Sequence, residues 1–314
     1  TETIYIWDTD NIDPRQKPYD RILMTAPVTL LQASPDGQWL WAADTNGTVA
    51  VIRQDTHRKL GAFTSHGPRV TALTFSSDQK TFAAGLSNGD VYLYRYPTEA
   101  DLLGYTQDRG LKLETAHPDA VVSLAFSPDG HKLISASHRE GLLEWDAQSG
   151  AYLRSLGQSR PAITHLVFTA NNEWLLAERA DNKVEIWSVR DSRILNTFDG
   201  TIPDGEPFVR NKYVALAQAG EYSWSEGSLL LVQYPEAVEY KKLPGYMLGW
   251  MVRPRPDQQI LVAGTEKDGL IWDTSTWERL QITSGPYAHC RKFQTPETEL
   301  LAVIWKKGIL FNIA

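Results

Sequence analysis

Val121-Val-Ser-Leu-Ala-Phe-Ser-Pro-Asp-Gly130, followed at once by His-Lys-Leu-Ile-Ser-Ala136, sets an apolar strand, a polar turn and a second, nearly all-apolar strand end to end. Pro, Asp and Gly supply the special backbone angles of such a turn. The pattern recurs in Val28-Thr-Leu-Leu-Gln-Ala-Ser-Pro-Asp-Gly37 before Gln-Trp-Leu-Trp-Ala-Ala43, and in Val70-Thr-Ala-Leu-Thr-Phe-Ser-Ser-Asp-Gln79 before Lys-Thr-Phe-Ala-Ala-Gly85. A fourth copy is Ile163-Thr-His-Leu-Val-Phe-Thr-Ala-Asn-Asn172 before Glu-Trp-Leu-Leu-Ala-Glu178. Weaker copies turn at Arg210-Asn211-Lys212, Arg255-Pro256-Asp257 and Thr295-Pro296-Glu297. The spacing from residue 35 to residue 296 is six intervals of about 43 residues, the period of one blade of a β-propeller.

Each copy continues in the same way. A tight turn follows the apolar strand, at Asn46-Gly47, Asn88-Gly89, Asp181-Asn182, Glu226-Gly227 or Asp268-Gly269. Both positions of an Asn-Gly turn tolerate positive φ, which suits a two-residue hairpin. A third strand often ends on an aromatic residue (Tyr94, Trp145, Trp187, Trp272), and a more polar fourth strand closes the unit, as in Arg58–Phe63 and Arg193–Phe198. A short run that is apolar throughout reads as a strand buried on both faces. The one helical candidate, Thr98–Leu103, lies in the widest interval, whose extra residues fall between Pro97 and Glu114. The chain is therefore expected to be all-β: a seven-bladed β-propeller of four-stranded antiparallel blades.

Composition agrees with a soluble globular chain: 314 residues, 42% hydrophobic, 22% charged, net charge −7. An acidic balance speaks against nucleic acid as the partner, since phosphate backbones need a basic surface. No apolar run is long enough for a membrane span. The single cysteine, Cys290, excludes an internal disulfide or a cysteine-based zinc site and reads as a buried, inert thiol. Cytoplasmic residence is the default expectation.

Beyond the period, the residues resemble the WD-repeat family. Leu143-Glu-Trp145-Asp146 and Leu270-Ile-Trp272-Asp273 look like its Trp-Asp ending, and Ser-Pro-Asp-Gly at 34–37 and 127–130 looks like its first turn. His66 and His117, four residues before Val70 and Val121, stand where the family places a histidine. The resemblance covers residues 28–314. It implies a hydrogen-bonded chain of His, Ser or Thr, Asp and Trp within each blade. Copy three offers His117, Ser137 and Trp145, with Arg139 in the Asp position; copy four offers Asp181 and Trp187, with Ser159 in the His position; copy two offers His66 and Asn88, with Tyr94 for Trp. These residues and Trp272 are expected to be structural.

The C-terminus supplies three strands of copy seven: Ala288–Phe293, Leu300–Ile304 and Ile309–Ile313. Residues 1–27 are expected to close the ring onto a single domain, 28–314, with Arg21-Ile-Leu-Met-Thr25 as the missing outer strand. Ile4-Tyr-Ile-Trp-Asp8 is then surplus. It adds a fifth strand, displaces Ile309–Ile313, or belongs to a larger parent protein.

No catalytic constellation stands out. The seven histidines form no metal-spaced pair, and no nucleophile elbow or phosphate loop occurs. Gly85-Leu-Ser-Asn-Gly89 has the outline of an elbow, but its serine lies in a hairpin. The expectation is a non-enzyme with no cofactor and no metal. The family resemblance places the hairpins between second and third strands, and the links between blades, on one face where partners dock. That face is expected to carry Arg69, Asp119, His138, Arg139, Arg160, Tyr222, Trp224, Tyr246, Lys267, Tyr287 and Lys306. Trp224 has two readings: it contacts a partner, or it folds back with Tyr222 over the neighbouring blade. Several cations around one mouth suit an acidic peptide or phosphopeptide. The expected function is a scaffold that binds a protein or peptide partner. The alternatives are a ligand-sensing, autoinhibitory domain of a larger signalling protein, which adds further domains of the same parent as partners, and a hydrolytic propeller.

Overall fold

A computed structural model of the chain describes residues 2–6, 20–34, 36–64, 68–96, 110–114, 117–139, 141–157, 162–203, 208–209, 213–218, 227–246, 252–254, 260–264, 268–284, 291–295, 298–305 and 308–313. Every named element among them is a β-strand, and the chain divides into two compact units, Thr1–Phe168 and Thr169–Ala314. The helical candidate at 98–103 lies outside the described residues. No helix among them is long and apolar enough to cross a membrane.

The first unit opens with an antiparallel hairpin, β1 (Thr3–Ile6) and β2 (Asp20–Leu23), in which Ile4 faces Ile22. The first strand is thus the pairing partner of the second, in a two-stranded sheet of their own. Three four-stranded sheets follow, each with its strands in chain order. They are β3 (Val28–Ala33), β4 (Trp39–Asp44), β5 (Thr48–Arg53) and β6 (Lys59–Thr64); β7 (Val70–Phe75), β8 (Thr81–Leu86), β9 (Val91–Arg95) and β10 (Leu111–Lys112); and β11 (Val121–Phe126), β12 (Lys132–Ser137), β13 (Gly141–Asp146) and β14 (Tyr152–Gly157). β15 (Ile163–Phe168) ends the unit.

In the second unit β16 (Trp174–Arg179), β17 (Lys183–Ser188) and β18 (Arg193–Asp199) pair antiparallel in that order. A four-stranded sheet of β19 (Phe208–Val209), β20 (Tyr213–Gln218), β21 (Gly227–Gln233) and β22 (Val238–Tyr246) follows. Next come a four-stranded sheet of β23 (Val252–Pro254), β24 (Ile260–Gly264), β25 (Asp268–Asp273) and β26 (Arg279–Ser284), and a three-stranded sheet of β27 (Arg291–Thr295), β28 (Thr298–Trp305) and β29 (Gly308–Ile313). Of the strand expected at Ala288–Phe293, residues 291–293 lie in β27 and 288–290 lie outside the described residues.

Alternation explains why the second strands are apolar throughout. Successive side chains of a strand point to opposite faces, and here both faces are covered. Trp39, Trp41 and Ala43 of β4 pack with Phe82, Ala84 and Leu86 of β8. The intervening Ala83, with Val91 and Leu93 of β9, packs the other way onto Leu124, Leu133 and Trp145. Trp41 is fully buried, tilted against Phe82 at 4.6 Å and stacked on Phe63 at 5.7 Å between ring centres. On the far face of β4 and β5, Ala42, Ala50 and Ile52 meet Ile4, Ile22 and Met24 of the N-terminal segment. That segment leaves β3 largely uncovered: Leu31 is 49% exposed, whereas its counterparts on β7 and β11 are mostly buried.

The first turn of each repeat closes on itself. The hydroxyls of Ser34, Ser76, Ser127 and Thr169 donate to Asp36, Asp78, Asp129 and Asn171. Each hydroxyl oxygen also accepts the N–H five residues on, from Trp39, Thr81, Lys132 and Trp174. The Ser76 hydroxyl holds the Asp78 carboxyl below its ordinary range. The residue after the acidic or amide position has positive φ: Gly37 (+68°), Gln79 (+55°), Gly130 (+72°) and Asn172 (+63°). The outer strands share a bulge. Register slips one residue at Leu60, Leu153, Leu195, Tyr240 and Leu280, each opposite the end of its third strand.

Candidate functional site

Backbone hydrogen bonds set the hairpins between second and third strands beside the links that lead into each sheet. Thr45 N–H donates to the Pro27 carbonyl, Ser87 N–H to the Arg69 carbonyl and His117 N–H to the Gly89 carbonyl. In the second unit Gly200 N–H donates to the Asn182 carbonyl in the same manner. Gly89 packs so closely beneath the link that a Cβ there would collide with the His117 carbonyl. Its φ of +90° also disfavours any other residue. The hairpins and links joined by these bonds are therefore fixed by the main chain.

Arg69, His138 and Arg139 stand exposed on this side, and Asp119 is half-buried among them. Neither Arg69 nor Arg139 forms an ion pair with another described residue. Arg160, Tyr222, Trp224, Lys267, Tyr287 and Lys306 lie outside the described residues, as does His66; Tyr246 is described only by its backbone, opposite Gly227. Trp272 is 2% exposed and packs with Leu229, Leu231 and Trp277.

Beneath the loops the third sheet is wired through one hydroxyl. Trp145 Nε1 donates to Ser135 Oγ at 2.9 Å, and His117 Nε2 lies 2.7 Å from the same oxygen. The linking serine is Ser135 and not the expected Ser137, although both are buried. The register gives the reason. Ser135 faces Leu143, one diagonal step from Trp145, while Ser137 faces Gly141, a further pair away. A diagonal neighbour is within reach of an aromatic side chain. Burial lowers the His117 pKa to about 4, against the opposing pull of the Asp119 charge. The imidazole is then neutral near pH 7, and its Nε2 shares the Ser135 hydroxyl that accepts from Trp145.

In the fourth repeat charged groups hold the tryptophan instead. Trp187 Nε1 donates to Glu185 at 3.0 Å, Arg179 bonds Glu185 at 3.0 Å, and the same guanidinium meets Asp181 at 3.0 and 2.8 Å through two nitrogens. Asp181 and Trp187 are thus joined by Arg179 and Glu185, two residues that the motif comparison passes over. A third unanticipated group is Glu144, 1% exposed and paired with Lys132 at 2.7 Å and Arg154 at 2.6 Å. The signal for both glutamates was available: a carboxylate two residues or one residue before the tryptophan, flanked by apolar residues inside the third strand. In the second repeat Asp90 is buried and bonds Asn88 and Lys112. In the first, Asp44 accepts the N–H groups of Asn46 and Thr48 and the Thr25 hydroxyl. Among the described residues no group of three or more His, Cys, Asp or Glu could hold a metal ion.

Repeated four-stranded antiparallel sheets with buried polar links are consistent with a β-propeller-like all-β architecture. Residues 57–95 and 110–146 match the family model "WD domain, G-beta repeat". The chain is similar to the guanine nucleotide-binding protein subunit beta of Oryza sativa subsp. japonica, 23% identical over 57% of this chain and 51% of the relative. It is also similar to the COMPASS component SWD3 of Saccharomyces cerevisiae, 25% identical over 55% and 54%, and to the WD repeat-containing protein SL1-17 of Schistosoma mansoni, 29% identical over 47% and 44%. The matched region spans about half the length of these curated relatives. These matches support a protein of the WD-repeat family, with residues 57–95 and 110–146 carrying the repeat itself.

Proposed function

We propose that the chain is a non-catalytic scaffold that binds a protein or peptide through its hairpin-and-link face. The observation that carries this reading is the exposure of Arg69, on a link tied to its hairpin by the Ser87 N–H, together with the exposed His138 and Arg139 on the β12–β13 hairpin. Rigid presentation lowers the ordering cost of binding, and guanidinium groups recognise carboxylates in paired geometry. An acidic segment is the partner these cations select. Arg160, Tyr222, Trp224, Tyr246, Lys267 and Tyr287 extend the same face in this reading. Two relatives are named as a subunit and as a component, which supports a role in assembly. The proposal includes a ring of seven blades, with residues 1–27 closing onto 28–314. The largely exposed β3 and the final sheet, with three strands among the described residues, support closure.

The test is selection of a displayed random peptide library on the immobilised chain, with enriched peptides re-measured on an Arg69→Glu/Arg139→Glu variant of equal thermal stability. Acidic peptides that lose about tenfold or more in affinity, roughly one charge-assisted contact, support the reading. Peptides bound equally by both proteins overturn it for this face.

A further inference from the structure

The chain contains two Asn-Gly steps in the same structural setting: Asn46-Gly47 between β4 and β5, and Asn88-Gly89 between β8 and β9. Both glycines have positive φ, +77° and +90°. Both glycine N–H groups donate to the carbonyl three residues back, Gly47 to Asp44 at 3.2 Å and Gly89 to Leu86 at 3.1 Å. The main chain therefore treats the two steps alike.

An Asn-Gly step carries its own chemistry. The glycine nitrogen gives up its proton and attacks the asparagine side-chain carbonyl carbon. A C–N bond forms, the side-chain amide leaves as ammonia, and a five-membered succinimide results. Water then opens either carbonyl to give aspartate or isoaspartate. Glycine favours the attack because no Cβ obstructs it. The asparagine side chain must be free to swing onto the main chain.

The two side chains differ in this freedom. Asn88 Nδ2 donates to Asp90 Oδ2 at 3.0 Å, and Asn88 Oδ1 accepts from Asp90 N–H at 3.2 Å. Asp90 is itself held by Lys112 at 2.8 Å. Gly89 is wedged under the His117 carbonyl, and its own carbonyl accepts the His117 N–H. Asn46 is exposed, and its side chain forms no hydrogen bond with another described residue. We infer that Asn46 is the site of spontaneous deamidation in the folded chain, and that its twin Asn88 is protected by Asp90.

The product is placed where it matters. A carboxylate at position 46 stands next to the fully buried Asp44, whose Oδ1 accepts the N–H groups of residues 46 and 48, each at 2.9 Å. Isoaspartate adds a methylene to the backbone and cannot keep both bonds in register.

The experiment is ageing of the wild-type chain at mildly alkaline pH, folded and in urea. Peptide mapping then follows the mass gain of about one dalton, and isoaspartate methyltransferase labelling gives a second readout of this covalent change. In the folded chain Asn46 is expected to convert at least about tenfold faster than Asn88, whose reaction first breaks two side-chain hydrogen bonds. In urea the two rates converge. An Asp90→Ala variant, checked for retained fold, raises the Asn88 rate toward that of Asn46. Equal folded rates, or faster conversion at Asn88, would overturn the inference.

Discussion

The imidazole of His117 and the hydroxyl of Ser135 meet at 2.7 Å, and through that hydroxyl the link before β11 is joined to the indole of Trp145 on β13. His117 N–H is at the same time bound to the Gly89 carbonyl of the preceding sheet. One neutral histidine thus connects a hairpin of one sheet to the interior of the next.

This arrangement predicts a pH dependence of stability. His117 titrates at about 4 in the folded chain against an ordinary 6.5. Between those values the unfolded chain binds more protons, so stability falls as pH drops from about 6.5 to 4 and the loss then levels off. The full shift corresponds to at most about 3 kcal/mol. Urea unfolding across this range should show the loss, and a His117→Gln variant should lack it. Asp78 and Asp146, lowered by the hydroxyls of Ser76 and Ser149, weaken the fold only in a more acidic window.

Ser135→Ala should destabilise by about 1–3 kcal/mol, because the buried Trp145 and His117 nitrogens both lose the oxygen between them. The expected result is a lower urea midpoint with an unchanged m-value. A change below a few tenths of a kcal/mol would place no weight on this hydroxyl.

Glu144 offers a charge test. Replacing Lys132 and Arg154 together by Met leaves a carboxylate that is 1% exposed without its two cations. The cations are more than a third exposed, so the cost is set at about 2 kcal/mol, below that of a fully buried pair. Adding Glu144→Leu should recover most of it, since an apolar group there needs no partner. Chemical denaturation of the double and triple variants decides.

Gln79 occupies a position that is Gly in the first and third repeats, and its φ is +55°. Gln79→Gly should stabilise by about 1 kcal/mol by removing left-handed strain. Gly130→Ala, at φ +72° in open space, should destabilise by about the same amount. Paired thermal melts of the two variants should shift in opposite directions.

Period, strands and turns were readable from the chain because each rests on neighbours within a few residues. The Ser-x-Asp turn and its positive-φ position close inside six residues, and two-faced burial leaves an unbroken apolar run. The wiring was less readable. Choosing Ser135 over Ser137 depends on which residue lies diagonally across from Trp145, a matter of register between strands. Arg179 and Glu185 meet only because the β16–β17 pairing sets Ala177 opposite Glu185, which leaves Arg179 diagonally across from it. The pairing of Thr3–Ile6 with Asp20–Leu23 was not readable because a stretch without pattern separates the two strands.

The recurring bulge in β6, β14, β18, β22 and β26 has a consequence for how molecules of this chain behave together. Each of these strands ends its sheet, leaving a row of main-chain donors and acceptors without a neighbouring strand in that sheet. A foreign strand adding there would have to match a ladder that slips one residue near its start and twists away. Repetition of one local irregularity therefore discourages filament growth at every such edge, and it does so without help from charge.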